Sequence, residues 1–227
     1  MGETVEFVSD GGTCPGFLSV PATGSGPGIV VIQEWWGVVP HIKNVCDRFA
    51  VDGFVALAPD LYHGKATTEP DEARKLIMGL QIERAGRDMS SAVTYLLQHD
   101  AVSGDAVGTV GFCAGGGLAL YLATLHPAVK ACVTYYGLIR WPNVTPHYER
   151  IRGKVMGHFA EHDPSATREA VADFERALKD AGVPVEVHWY AGTQHAFFND
   201  DRPGVYNAEA ARLSYKRMVD FYRAELR

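Results

Sequence analysis

Several protein classes are excluded by what this chain has little of. Only four cysteines occur among its 227 residues (Cys14, Cys46, Cys113 and Cys132), too few and too irregularly spaced for a disulfide framework or a cysteine zinc cluster. Positive charge is also scarce. The 21 Lys and Arg stand against 27 Asp and Glu, a formal net charge of −6. Without a basic stripe, neither nucleic acid nor an anionic membrane surface is an expected partner. No apolar run approaches the ~18 residues that a bilayer span requires. The opening Met1-Gly2-Glu3-Thr4-Val5-Glu6-Phe7 offers neither the basic nor the apolar region of a secretory signal. A reducing cytoplasm is therefore the expected setting. Repeats, low-complexity tracts and composition breaks are missing too, so one domain over residues 1–227 is expected, acting as a monomer.

What the chain does have is alternation. Apolar segments of strand length exchange with amphipathic segments of helix length. This pattern predicts an α/β fold, with a mostly parallel sheet of about seven to eight strands and helices on both faces. Residues 4–9 and 16–20 read as an edge hairpin around Asp10-Gly11-Gly12. Further strands are expected at 28–33, 54–58, 106–111, 131–136, 154–160 and 185–189. Helices are expected at 41–52, within 70–98, and at 118–125, 167–181 and 206–224.

The strand at 106–111 runs into Gly111-Phe112-Cys113-Ala114-Gly115-Gly116-Gly117. A Gly-x-nucleophile-x-Gly turn between strand and helix holds its central residue strained and exposed above the sheet, as in the α/β-hydrolase fold. Here that residue is Cys113. In an open α/β sheet functional side chains gather at the carboxyl ends of the strands, which here carry Glu34, Asp60, Cys113, Tyr136, Asp163 and His195. Cys113, Asp163 and His195 follow the nucleophile, acid, base order of α/β-hydrolases. The thiolate would attack a carbonyl, His195 would move the proton, and Asp163 would fix the imidazole tautomer. The loop Gln33-Glu34-Trp35-Trp36-Gly37 follows the third strand, where such enzymes take a backbone oxyanion donor. That assigns the N–H groups of Trp35 and Ala114. A charged residue ending a buried strand needs a partner. Glu34 is therefore expected either to meet the Cys113 thiol or the substrate, or to pair with an arginine.

The stretch His158-Phe159-Ala160-Glu161-His162 matches the H-x-x-E-H pattern of a zinc protease group. That pattern works only on a helix. On a strand its histidines lie about 13 Å apart, so no metal site is expected there.

Taken together, Gln33-Glu34-Trp35-Trp36-Gly37, Ala58-Pro59-Asp60-Leu61-Tyr62, the Cys113 elbow, the Asp163 turn and His195-Ala196-Phe197-Phe198-Asn199 resemble the dienelactone hydrolase (carboxymethylenebutenolidase) family. The resemblance implies a cofactor-free hydrolase that opens a small unsaturated lactone or a related ester through an acyl group on Cys113. It also implies that Glu34 restrains the resting thiol. One part of the family pattern is absent. The arginines that hold a substrate carboxylate would fall at Asn199 and near Pro70, where only Arg74 offers a guanidinium one helical turn on. Trp36, Phe197 and Phe198 point to a more apolar ester or lactone. The same triad would also serve a general carboxylesterase or thioesterase. A binding protein that has lost catalysis is the alternative of a different class.

Overall fold

The computed structural model describes residues 2–9 and 12–226. Its strands are β1 (Glu3–Ser9), β2 (Gly12–Ser19), β3 (Gly26–Ile32), β4 (Val55–Pro59), β5 (Val102–Phe112), β6 (Val129–Tyr135), β7 (Lys154–His162) and β8 (Val185–Gln194). They form one sheet in the order β1-β2-β4-β3-β5-β6-β7-β8. β2 runs antiparallel to β1 and β4. Every pair from β4 and β3 through to β8 is parallel. The helices are α1 (Pro40–Val51), α2 (Pro70–Met78), α3 (Ile82–Gln98), α4 (Ala114–Leu125), α5 (Arg168–Asp180) and α6 (Ala208–Glu225).

Side chains on β3 show why it reads as a continuous apolar run. Successive residues of a strand point to opposite faces. Val30 and Ile32 enter one buried cluster, together with Met89 of α3, Leu122 of α4 and Phe174 of α5. Ile29 and Val31 enter the other, with Phe49 of α1 and Tyr222 of α6. Helices therefore cover both faces of the sheet, and the strand has no polar side.

Several boundaries differ from the expected ones. The helical stretch within 70–98 is two helices, because the chain breaks at Gly79, a poor helix former, whose N–H closes α2 on Lys75 O at 2.9 Å. β2 begins at Gly12, where Gly12 pairs with Ser9; Asp10 and Gly11 of the expected turn lie outside the described residues. α4 starts at Ala114 rather than near Leu118, since its glycine-rich first turn is held by packing against the sheet. β7 reaches His162 and carries the whole H-x-x-E-H stretch, with His158 buried and His162 exposed. Among the described residues no helix is long and apolar enough to cross a membrane.

Because β3, β5, β6, β7 and β8 run parallel, their carboxyl ends open on one edge. Glu34, Cys113, Tyr136, Asp163 and His195 follow those five ends in turn.

Candidate active site

Cys113 joins β5 to α4 with φ 57° and ψ −122°, a backbone state that costs a non-glycine residue of the order of 1–3 kcal/mol. Two glycines make the turn sterically accessible. A Cβ on Gly111 would lie 1.8 Å from Gly115 O, and one on Gly115 would lie 2.2 Å from Gln33 O. The thiol is half-buried, whereas Cys14, Cys46 and Cys132 are buried. Burial pushes all three of those thiols up, Cys14 to about 12.

The loop after β7 brings Asp163 against the loop after β8. Asp163 Oδ2 lies 2.7 Å from His195 Nδ1. Its other oxygen, Oδ1, accepts from the Ser165 N–H at 2.8 Å and from the Ser165 hydroxyl at 2.6 Å. The Ser165 oxygen also lies 3.0 Å from Nδ1. With both neighbours of Nδ1 acting as acceptors, that nitrogen carries a proton. Burial by itself would lower the His195 pKa. Hydrogen bonding to Asp163 and to Cys113 outweighs it and raises the imidazole to about 10. For Asp163 burial acts upward, but the His195 and Ser165 contacts prevail and hold its carboxyl below the ordinary value.

Glu34 is 2% exposed. Asn199 Nδ2 donates to its Oε2 at 2.6 Å, so an amide rather than an arginine meets this carboxylate. Burial raises its pKa, opposed by His41, the Asn199 bond and His195. A carboxyl raised in the fold destabilises increasingly as pH climbs above its unfolded value near 4.5. Glu34→Gln keeps an acceptor for Asn199 and removes the buried charge. It should gain about 1 kcal/mol at pH 8, a rise of about 2–4 °C in melting temperature. The gain should fade at pH 4. Thermal unfolding at the two pH values checks this, and an equal effect at both would rule out the ionisation as its cause.

A cleft of about 260 Å³ opens on the reactive end of Cys113, Ala114, Ser165 and His195, and is walled by Tyr136, Ile77, Leu138 and Trp141 with Arg140 at its side. Ala114 is the first residue of α4, so its N–H has no acceptor within the helix. Trp35 and Trp36 pack edge to face at 4.7 Å, and Tyr62 donates to the Trp35 carbonyl at 3.2 Å. Neither indole lines the cleft. Phe198, expected near the substrate, is instead a core residue, 1% exposed and stacked on Phe112 at 5.2 Å, because the turn after His195 packs it between β5, β6 and α6. Arg74 is exposed on α2 and is not in the cleft wall. Ile77, about one helical turn later, is.

Ser165 and Arg140 escaped the sequence reading. The Asp-Pro-Ser order was the available signal for Ser165, since an aspartate often accepts the N–H two residues on. Arg140 lies in an irregular segment after β6, where no periodicity points its side chain.

A second Cys/His/Asp group, Cys14, His63 and Asp88, has donor atoms within 4.8 Å of one another. It has the composition of a zinc site, but its groups are already engaged. Asp88 accepts from Ser9 at 2.5 Å and lies 2.9 Å from His63 Nε2, with the Arg84 guanidinium 3.9 Å away. The Cys14 thiol stays protonated. The group fits a buried hydrogen-bond network better than a metal.

A sequence profile of the dienelactone hydrolase family matches residues 14–226. The chain is 36% identical over 234 residues to the protein named usf of Aquifex pyrophilus, with 100% of both chains covered. Among solved structures it is similar to a dienelactone hydrolase-like promiscuous phosphotriesterase from metagenomic libraries, at a TM-score of 0.86 and 25% identity, covering 100% of this chain and 99% of the other. The dienelactone hydrolase of Anabaena variabilis shares its fold, with a TM-score of 0.72, 19% identity and coverage of 100% and 99%.

Proposed function

From the premise that this chain belongs to the dienelactone hydrolase family and hydrolyses esters or lactones, we propose that Cys113 is the nucleophile of a Cys-His-Asp triad. The observation that carries the reading is the 2.7 Å contact of Asp163 with His195 in the cleft that also holds the half-buried thiol on the strained elbow. His195, raised to about 10, holds the proton of the thiol–imidazole pair while sulfur attacks the carbonyl carbon, and passes it to the leaving oxygen. The N–H groups of Ala114 and Trp35 face the developing oxyanion. Water then releases the acyl group, with His195 again as base. Glu34, buried beside His195, restrains the resting pair.

The cleft suits a small lactone or ester whose acyl part packs on Ile77, Leu138 and Trp141. The test is to mix the protein with aryl esters, thioesters and unsaturated lactones and to weigh the intact chain during turnover. An acyl adduct that maps to Cys113 is the expected result. Turnover with the adduct on another residue would refute the assignment.

In this reading Arg140, the cation in the cleft wall, stands in for the guanidinium expected of Arg74. Arg140→Gln should lower kcat/KM about fivefold for an ester with a carboxylate on its acyl part, because an exposed charged hydrogen bond gives ~1 kcal/mol. A neutral ester of the same shape should react at nearly the original rate. Equal loss on both would assign Arg140 a packing role instead.

A further inference from the structure

We propose that Tyr136 is a further catalytic residue: its Oη hydrogen-bonds the leaving-group oxygen as that oxygen separates from the carbonyl carbon. The proposal rests on the reading of Cys113 as nucleophile and adds a group to it.

Three independent observations converge on this residue. Tyr136 follows the end of β6 with φ 41°, in the left-handed region that a bulky side chain rarely adopts. The strain is held by a hydrogen bond from its N–H to His158 O at 2.8 Å, and strained backbone of this kind gathers at functional sites. Second, its hydroxyl is buried and has no hydrogen-bond partner among the described residues. A buried polar atom without a partner calls for an explanation, and a substrate oxygen supplies one. Third, the residue lines the cleft beside Cys113, Ala114 and Ser165, and its ring lies 4.9 Å from that of His195.

That last contact selects the atom it would serve. The imidazole delivers its proton to the leaving oxygen, so that oxygen must come up against His195. A phenol packed on the same ring is on the leaving-group side. The carbonyl oxygen belongs to the N–H groups of the elbow and the loop after β3. Burial, with Glu34 and Cys113 nearby, pushes the phenol ionisation well up, so Tyr136 is present as a donor. In the step itself sulfur bonds to carbon, and the carbon–oxygen pair passes to the leaving oxygen. The His195 proton follows it, while Tyr136 keeps its own proton throughout. The neighbouring Tyr135 hydroxyl also has no partner, but its ring is enclosed by Phe112, His158 and Phe198 away from the cleft.

Tyr136→Phe removes only the oxygen and keeps the ring on His195. Its kcat/KM should be measured on a series of acetates running from 4-nitrophenyl through phenyl to ethyl, with Cys113 alkylation by iodoacetamide measured alongside. The expected loss is smallest for 4-nitrophenyl acetate, whose leaving oxygen needs little help, and grows to about 100-fold for ethyl acetate, the order lost with one transition-state donor. Alkylation should stay at the rate of the unaltered protein. A loss equal across the series, or none, would overturn the proposal, the former showing a packing role. The two readings separate cleanly in Cys113→Ala. If that variant still hydrolyses the series, the nucleophile assignment fails. If it is dead while Tyr136→Phe responds uniformly, only the Tyr136 proposal fails.

Discussion

Cys113→Ala should lose at least about 10⁴-fold in kcat on every ester, thioester or lactone the protein turns over, with melting temperature nearly unchanged. The catalytic part follows from covalent catalysis. Without the sulfur no acyl-enzyme forms, and only substrate binding and the oxyanion N–H groups remain, which by themselves leave a small residue of rate. The stability part follows from where the strain resides. It lies in the backbone, at φ 57°, and an alanine suffers it as the cysteine does. The turn is enforced by the contact of Gly111 with Gly115 O and of Gly115 with Gln33 O, neither of which involves the thiol. Cys14, Cys46 and Cys132 offer no substitute nucleophile, being buried with raised thiol pKa values. Steady-state kinetics beside thermal unfolding checks both halves. Activity retained in this variant would end the mechanism.

Asp163→Asn should cost about 10³–10⁴-fold in kcat, with a much smaller change in KM. Asparagine fits the space but brings an N–H₂ toward Nδ1, which favours the tautomer with its proton on Nε2, where it can no longer accept from the thiol. The variant should also change stability with pH in a defined way. His195 is raised in the fold from an ordinary value of 6.5 to about 10. Its contribution is therefore complete below about pH 6.5 and is lost as pH rises through about 10. Asp163 lies below its ordinary 3.8, so its contribution is present above that value and is lost as pH falls through the folded pKa. Removing the pair should open a stability gap that is widest between about pH 4 and 6.5 and narrows on either side. Unfolding of both proteins at pH 3, 5.5 and 9.5 measures it. A gap independent of pH would mean that Asp163 acts only by filling space.

Features of this protein divide along a physical line. Local features survived from sequence to structure: the glycine elbow, the apolar run of β3, and the order Cys113, Asp163, His195. Each is written in adjacent residues or in a period imposed by strand and helix geometry, and the parallel sheet then brings its strand ends to one edge without further information. Features that depend on how irregular segments fold back were not legible. Phe198 and Asn199 follow His195 directly, yet one stacks on Phe112 and the other reaches Glu34 across 165 positions of chain. Arg74 and Ile77 share a helix, and only the docking of α2 decides which of them meets the cleft.

The sequence by itself determined the fold class and the strained elbow that carries Cys113, because strand period, turn sterics and residue type are local constraints. Tertiary structure alone decided what surrounds that thiol: the Asn199 amide on Glu34, Ser165 against the Asp163–His195 pair, Arg140 in the cleft, and the buried hydroxyl of Tyr136. Those contacts are set by packing between distant segments, and no short-range rule of the chain encodes them.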